Sequence, residues 1–235
     1  MRPGRTGKPI ILGHRGFRGP LENTLPAFRR ALVHAEGIEF DVRMTRDGKP
    51  VVLHDEVFMA DGRLYSVGDL TYRELVRLHP LGKLIPRVRD VLRLSPPIIN
   101  ADIKEILALE PLLRELEREG MLGRAILSVD VFEWVHRIGR ACPDCRVGFS
   151  ITNARSLFLS LRANSYSIHV PLDLVRYIGF RGFLGLLNLY RRRNLKILLW
   201  NYRMNEVELV PRVLGVADGV ISDDPARLKR FISPK

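Results

Sequence analysis

Short runs rich in β-branched and aliphatic residues recur at positions 10–12, 38–42, 51–54, 97–103, 125–129, 146–151, 166–170, 196–200 and 219–222. Between them, at 25–35, 107–119, 132–140 and 205–214, apolar residues fall three and four apart, the spacing of a helix with one buried face. Strand-like and helix-like stretches therefore alternate, and repeated βα units require parallel strands joined by right-handed crossovers. The helix starts agree: Asn23 or Thr24 can cap the first helix with Pro26 in its opening turn, and Asp224 with Pro225 can do the same for the last. About eight such units can be counted, and no G-x-G-x-x-G turn follows the first strand. The expected fold is an α/β TIM-type (β/α)8 barrel, a single domain over residues 1–235, rather than a doubly wound open sheet. In such a barrel the residues at the C-terminal strand ends gather at one mouth.

Composition narrows the class without naming a reaction. Apolar residues make up 46% of the chain and charged residues 27%, which suits a folded globular domain. The formal charge is +12, and only seven of the 38 basic residues are lysine. Such a balance favours anionic partners, whether nucleic acid, an anionic membrane surface or a phosphorylated small molecule. Glutamine does not occur, a bias that suits a protein working at high temperature. No apolar run is long enough to span a bilayer, and the basic N-terminus leads directly into a short strand rather than an export signal. A cytoplasmic protein is expected, with peripheral membrane contact as a further expectation. Cys142 and Cys145, in C-P-D-C, cannot complete a four-ligand zinc site; they read as a helix-to-strand turn, with a local disulfide as the alternative.

The candidate chemistry sits at predicted strand ends. The first strand ends in Gly13-His14-Arg15-Gly16, with Glu22 and Asn23 in the same loop. A histidine can exchange a proton near neutral pH and a guanidinium can fork onto phosphate oxygens. On the second strand Glu39 and Asp41 lie two apart, so both carboxylates point to one side of an apolar strand. Two buried charges of one sign need a counter-charge, and a divalent cation or an arginine-paired cluster would supply it. After the Asp47-Gly48 turn signal, His54 ends another run. Two histidines around a carboxylate pair meet the needs of phosphodiester cleavage, one to activate the nucleophile and one to protonate the leaving oxygen. Asp102 and Lys104 repeat the two-apart spacing: a third carboxylate for a hard cation and a positive charge for phosphate, or simply an ion pair.

In this order and spacing, H-R-G at 14–16, E-N-T at 22–24, E-x-D at 39–41 and D-G-x-x-V-x-x-H-D at 47–55 resemble the glycerophosphodiester phosphodiesterase family. The likeness continues through Ile85-Pro86, Asp90-Val91-Leu92, Leu127-Ser128-Val129 and Leu199-Trp200-Asn201 to Asp218-Gly219-Val220-Ile221-Ser222-Asp223-Asp224-Pro225, and is most specific over 14–55 and 217–225. The resemblance implies a barrel and metal-dependent hydrolysis of a glycerophosphodiester to glycerol phosphate and an alcohol. It implies His14 and His54 as the acid/base pair, Arg15 as a phosphate ligand, and Glu22, Glu39 and Asp41 as metal-site residues. The implied cofactor is one divalent ion, magnesium or calcium, with manganese as a further candidate. One departure stands out: the family pattern is E-x-K where this chain has Asp102 before Lys104, a shorter arm.

Trp200 ends the run at 196–200, where its ring would wall the pocket beside the glycerol moiety or else pack in the core. The apolar stretch 178–190, followed by Arg191, Arg192 and Arg193, reads as a buried barrel helix with a solvated basic end; the alternative carries apolar groups towards lipid. The partner expected is therefore a small glycerophosphodiester, with an anionic membrane surface as a second contact and nucleic acid not favoured. Two rival functions remain at this level: lysophospholipase D-type action on lipid phosphodiesters, and a non-catalytic nucleic-acid or phospholipid-binding protein suggested by the charge. Oligomeric state is not legible.

Overall fold

In the computed structural model, which describes residues 8–203 and 206–232, eight of the nine apolar runs become neighbours in one barrel. The strands are β1 (Ile10–Gly13), β2 (Gly37–Met44), β3 (Pro50–Val52), β4 (Val57–Ala60), β5 (Arg63–Ser66), β6 (Ile99–Ile103), β7 (Ala125–Val129), β8 (Arg146–Ser150), β9 (Ser167–Pro171), β10 (Lys196–Trp200) and β11 (Gly219–Ser222). The helices are α1 (Leu25–Leu32), α2 (Tyr72–Leu78), α3 (Val88–Leu92), α4 (Leu109–Arg118), α5 (Phe132–Ala141), α6 (Ala154–Ser160), α7 (Val175–Arg192), α8 (Glu206–Leu209) and α9 (Pro225–Ile232). Leaving aside β3, β4 and β5, the strands pair in parallel in chain order, and β11 pairs back onto β1. The sheet is thus a closed barrel with helices between its strands, as expected.

Alternation along each strand divides the side chains into two sets. Ile38, Phe40 and Val42 of β2, Ile99, Ala101 and Ile103 of β6, and Ile168 and Val170 of β9 belong to the large core formed with helix residues such as Phe28, Leu112 and Phe183. The other set faces the lumen, where Leu12, Ile126, Leu198 and Ile221 form a cluster of their own. Helix caps follow the sequence signals: Thr24 accepts from the Ala27 amide, and the Asp224 carboxylate from the Arg227 amide.

The run at 51–54, which follows the Asp47-Gly48 turn signal, lies outside the barrel. β3 pairs antiparallel with β2, Val52 opposite Val42, and is the arm of a hairpin rather than a barrel strand. The turn through Gly48 (φ 71°) is too short for the crossover a parallel neighbour needs. Beyond it lies an insertion that the helix and strand spacing did not foretell. Asp61 and Gly62 both have positive φ and close the hairpin of β4 and β5, and α2 starts with a Thr71–Glu74 capping box. Its Val51, Leu53, Phe58, Val67, Leu75 and Ile85 form a small core separate from the barrel's.

The 178–190 stretch lies in α7, which buries Phe183, Leu187 and Tyr190 and is interrupted at Gly179 (φ 68°). Its basic end is only partly solvated: the Arg193 guanidinium donates to the carbonyls of Ser160, Leu161 and Ala163 around the C-terminal end of α6. The predicted helix at 205–214 begins outside the described residues at Asn205; from Glu206 it is α8 followed by a single 3-10 turn. Cys142 and Cys145 form a disulfide within the turn from α5 to β8. Among the described residues, no helix is long and apolar enough to cross a membrane.

Closure of the barrel leaves little room where β2 starts. A Cβ on Gly37 would lie 2.2 Å from the Ile98 carbonyl oxygen, whereas one on Gly123 would meet nothing within 4 Å. Gly37→Ala should lower the unfolding free energy by about 1–3 kcal/mol in denaturant titration, with Gly123→Ala close to neutral.

Candidate active site

The mouth of the barrel is built around the end of β1. Gly16 donates its amide to the Gly13 carbonyl, a tight turn that leaves Arg15 at φ 48°. The Arg15 amide then donates to Glu39 Oε2 at 2.8 Å, and the Asn23 amide to the Arg15 carbonyl. Asn23 also lies at positive φ, 59°, and its side-chain amide donates to Asp41 Oδ2 at 2.8 Å. Two non-glycine residues in the left-handed region mark a loop held by its surroundings. Thr24 is the helix cap, and Asn23 serves the site.

Glu39 and Asp41 do lie on one face of β2, 4% and 1% exposed, and Asp102 stands opposite Asp41 on β6. With His14, Arg15, His54, Lys104 and Trp200 they line a cavity of about 200 Å³ at the mouth. Glu22 is not among its lining residues: its carboxylate accepts a hydrogen bond from the Arg15 guanidinium. Asp41 has the fullest set of partners, with Arg15 Nε at 3.0 Å, Lys104 Nζ at 3.0 Å and the Asn23 amide. Burial opposes its charge, but Lys104 and Arg15 hold its pKa below the usual carboxylate range. Asp102 accepts from Lys104 and, at 2.6 Å, from the Ser128 hydroxyl. Burial opposes the Lys104 charge, and Asp102 and Asp41 more than restore it, raising its pKa.

Glu39 is compensated least. Its close partner is the Arg15 amide, and His14 Nε2 is 3.9 Å away. Burial, then the neighbouring Asp41 charge, push its pKa up to about 7. Among the described residues no three histidine, cysteine or acidic side chains are gathered as a ready metal-binding group. The chemistry of the donor set nevertheless fits a hard cation, because two buried carboxylates, Glu39 and Asp41, and the half-buried Asp102 converge on one cavity, and Glu39 lacks a full counter-charge.

His14 is oriented from the far end of the chain. Its Nδ1 is 2.6 Å from Asp223 Oδ1, which leaves Nε2 turned towards Glu39. Burial lowers the His14 pKa, but the Asp223 hydrogen bond and the Glu39 charge outweigh it and the pKa is raised. Asp223 Oδ2 takes the Arg18 guanidinium, and buried Glu206 accepts from the Asp223 and Asp224 amides and the Ser222 hydroxyl, bracing the end of β11. His54 has Nδ1 2.7 Å from Asp55 Oδ1, and its carbonyl accepts from Arg43. Trp200 lines the cavity with its ring edge-on to Tyr202, 4.4 Å between centroids, and its buried Nε1–H has no hydrogen-bond partner.

Several of these residues carried no role in the sequence analysis. Asp223 lay in a quoted motif, D-D-P, and its place immediately after a strand end was its one local signal. Ser128 and Asn100, joined at 3.0 Å, extend the polar floor from Asp102. His169, held between Ser150 and Ser167, completes the floor, and burial drives its pKa down to about 4, so it is neutral there.

A family model described as the glycerophosphoryl diester phosphodiesterase family matches residues 14–168. The chain is 26% identical over 247 residues to a glycerophosphodiester phosphodiesterase of Caldanaerobacter subterraneus subsp. tengcongensis, covering 96% of this chain and 98% of that one. It is 35% identical over 131 residues to a probable glycerophosphodiester phosphodiesterase 2 of Mycobacterium tuberculosis, covering 53% and 49%. Among solved structures, a glycerophosphodiester phosphodiesterase of Thermotoga maritima superposes with a TM-score of 0.80 at 27% identity, covering 97% and 100%. A phosphodiesterase of Oleispira antarctica, solved in complex with the product sn-glycerol-3-phosphate, shares the fold with a TM-score of 0.77 at 18% identity, covering 96% and 97%.

The raised Glu39 pKa has a consequence for stability. The folded state keeps a proton that the unfolded chain loses near pH 4.5, so ionisation of Glu39 disfavours folding increasingly as pH rises from 4.5 through about 7. In chelator, Glu39→Gln should therefore stabilise the protein by about 3 kcal/mol above neutral pH and by almost nothing near pH 4. Thermal melts with and without added divalent cation check this, and the cation should raise the melting temperature of the wild type more than that of the variant.

Proposed function

The chain belongs to the glycerophosphoryl diester phosphodiesterase family, and on that premise we propose that it hydrolyses glycerophosphodiesters to glycerol phosphate and an alcohol, with His14 and His54 as the acid/base pair. Membership of a hydrolase family removes the non-catalytic binding alternative that the +12 charge had suggested. The observation that carries the mechanism is His14 pinned to Asp223 at 2.6 Å in a cavity that also holds His54, Arg15 and Lys104.

The physical roles follow from charge and orientation. Arg15 and Lys104 bring two positive charges to the cavity for the phosphate oxygens. His14, with its raised pKa, favours the protonated form and delivers a proton to the leaving oxygen. His54 takes the proton of the attacking hydroxyl. Asp223 holds the His14 ring and stabilises its charge, as an orienting carboxylate does for an imidazolium. The unpartnered Trp200 Nε1–H is a donor for a glycerol oxygen, and the indole ring covers the glycerol carbons.

Glu39, Asp41 and Asp102 would hold one divalent ion, magnesium or calcium with manganese as a further candidate, and Glu22 would join them only by leaving Arg15. When bound, such an ion neutralises charge on the nonbridging phosphate oxygens. The aspartate at 102 in place of the family's glutamate shortens one donor arm, which bears on which ion is preferred.

Release of glycerol phosphate from glycerophosphocholine and glycerophosphoethanolamine tests the reading. Turnover should vanish in chelator and return with one of magnesium, calcium or manganese; no release under any of these conditions would sink the proposal. His14→Ala and His54→Ala should each lower kcat by about 10²–10⁴-fold with the fold retained by circular dichroism.

Asp223→Asn separates orientation from mere packing. A proton donor works below its pKa, so wild-type kcat should fall as pH rises through the His14 pKa, above 6.5. Loss of the Asp223 charge lowers that pKa and should move this alkaline limb to lower pH, with kcat down by about 10²-fold or more. An unmoved pH profile would remove Asp223 from the proton-transfer machinery.

A further inference from the structure

The two histidines of the cavity are held in different ways. The His14 ring rests on Asp223, whose side chain is fully buried and whose amide is in turn bonded to Glu206. Among the described residues the His54 ring pairs only with Asp55 Oδ1, at 2.7 Å, and the Asp55 side chain is 74% exposed. A contact between two solvent-facing side chains confines a ring weakly. His54 also stands at a seam, because it follows β3 and the chain then enters β4 and the separate core of the insertion. Its place at the cavity therefore depends on what fixes its backbone.

Two hydrogen bonds from the barrel reach that backbone. The Leu53 amide donates to the Asp41 carbonyl at 3.2 Å. Arg43 Nε donates to the His54 carbonyl at 2.7 Å, while Nη1 of the same side chain donates to Glu105 Oε1 at 2.8 Å. Arg43 shares one side of β2 with Glu39 and Asp41, two positions further on, but it does not line the cavity. Glu105 follows Lys104 beyond the end of β6, where the Lys104 amide donates to the Val42 carbonyl. One side chain, 11% exposed, thus ties the His54 backbone to the ends of the two strands that carry Asp41 and Asp102. The guanidinium suits this work because its donors form a rigid planar fork that can serve two acceptors at once, and lysine would keep the charge without the fork.

We propose that Arg43, anchored by Glu105, is a positioning residue that sets the reach of the His54 imidazole, an inference that rests on His54 being the proton acceptor named above. Arg43 touches no substrate and acts through the backbone of the residue that does. A general base works only within hydrogen-bond reach of the proton it takes, and a displacement of about 1 Å can cost about 10²-fold in rate. Arg15, Lys104 and Trp200 line the cavity on their own elements, so loss of Arg43 leaves the contacts to phosphate and glycerol in place and the defect falls on kcat rather than KM.

The test is a double-mutant cycle on glycerophosphocholine turnover, in the divalent cation that supports it, comparing wild type, Arg43→Met, His54→Ala and the pair. Arg43→Met should lower kcat by about 10–100-fold with KM within about twofold of wild type. Arg43→Lys should recover part of that loss, and Glu105→Gln should fall between wild type and Arg43→Met. In the His54→Ala background, Arg43→Met should change kcat by less than about twofold, because a residue that acts through His54 then has nothing to act on. An equal loss with and without His54, or a loss confined to KM, overturns the proposal. Should Arg43→Met fail to fold, Arg43→Lys takes its place in the cycle. Should His54→Ala turn over normally, the acid/base reading itself fails, and proton NMR of the histidine rings decides the placement separately. Arg43→Lys or Glu105→Gln should then shift or broaden the His54 ring signals and leave those of His14 unchanged, and unmoved His54 signals reject the positioning role.

Discussion

Two like charges on one face of a buried strand dominate this barrel. Glu39 and Asp41 cannot both be ionised inside the lumen unless their charge is answered. Arg15 and Lys104 answer Asp41, and Lys104 also answers Asp102. The Arg15 backbone amide, rather than a full charge, answers Glu39. The loop after β1 follows from this arrangement, because Arg15 and Asn23 must take up left-handed backbone conformations while their polar groups meet the carboxylates. The incomplete compensation of Glu39 makes the site costly to fold.

The lumen is divided by the same constraint. On one side Leu12, Ile126, Leu198 and Ile221 pack together as an apolar plug. On the other, Asn100, Ser128 and Asp102 form one hydrogen-bonded polar group and Ser150 and His169 another. Buried polar groups are tolerated when they satisfy one another, and the neutral state of His169 avoids adding another charge to that floor. The mouth cavity is lined by much of this polar set, and beside it an apolar groove at the ends of β8 and β9 offers a surface of opposite character.

Closure of the barrel brings its first and last strands together at one site. Pairing of β11 with β1 sets Ser222 beside Gly13, and the next residues, Asp223 and His14, are then in hydrogen-bonding contact across 209 positions of sequence. Glu206 supports this contact from below by gathering the amides that follow β11. Orientation of the His14 imidazole is therefore a property of the closed sheet rather than of the loop that carries it.

Much of this was legible in the chain alone, because periodicity is a local property. Alternation in β2 and β6 was enough to point Glu39 and Asp41, and likewise Asp102, to a common side, and the repeated βα order was enough to imply a barrel whose strand ends converge. What the sequence could not determine was partnership between distant residues. Glu22 read as a carboxylate for a metal, and only the tertiary structure sets that carboxylate on the Arg15 guanidinium. The 51–54 run followed a turn signal, but its antiparallel register on β2, Val52 opposite Val42, is set only by the pairing. Asp223 and Glu206 are defined by pairing and packing across the closed sheet, and their roles arise only when chain closure brings separate strands into contact.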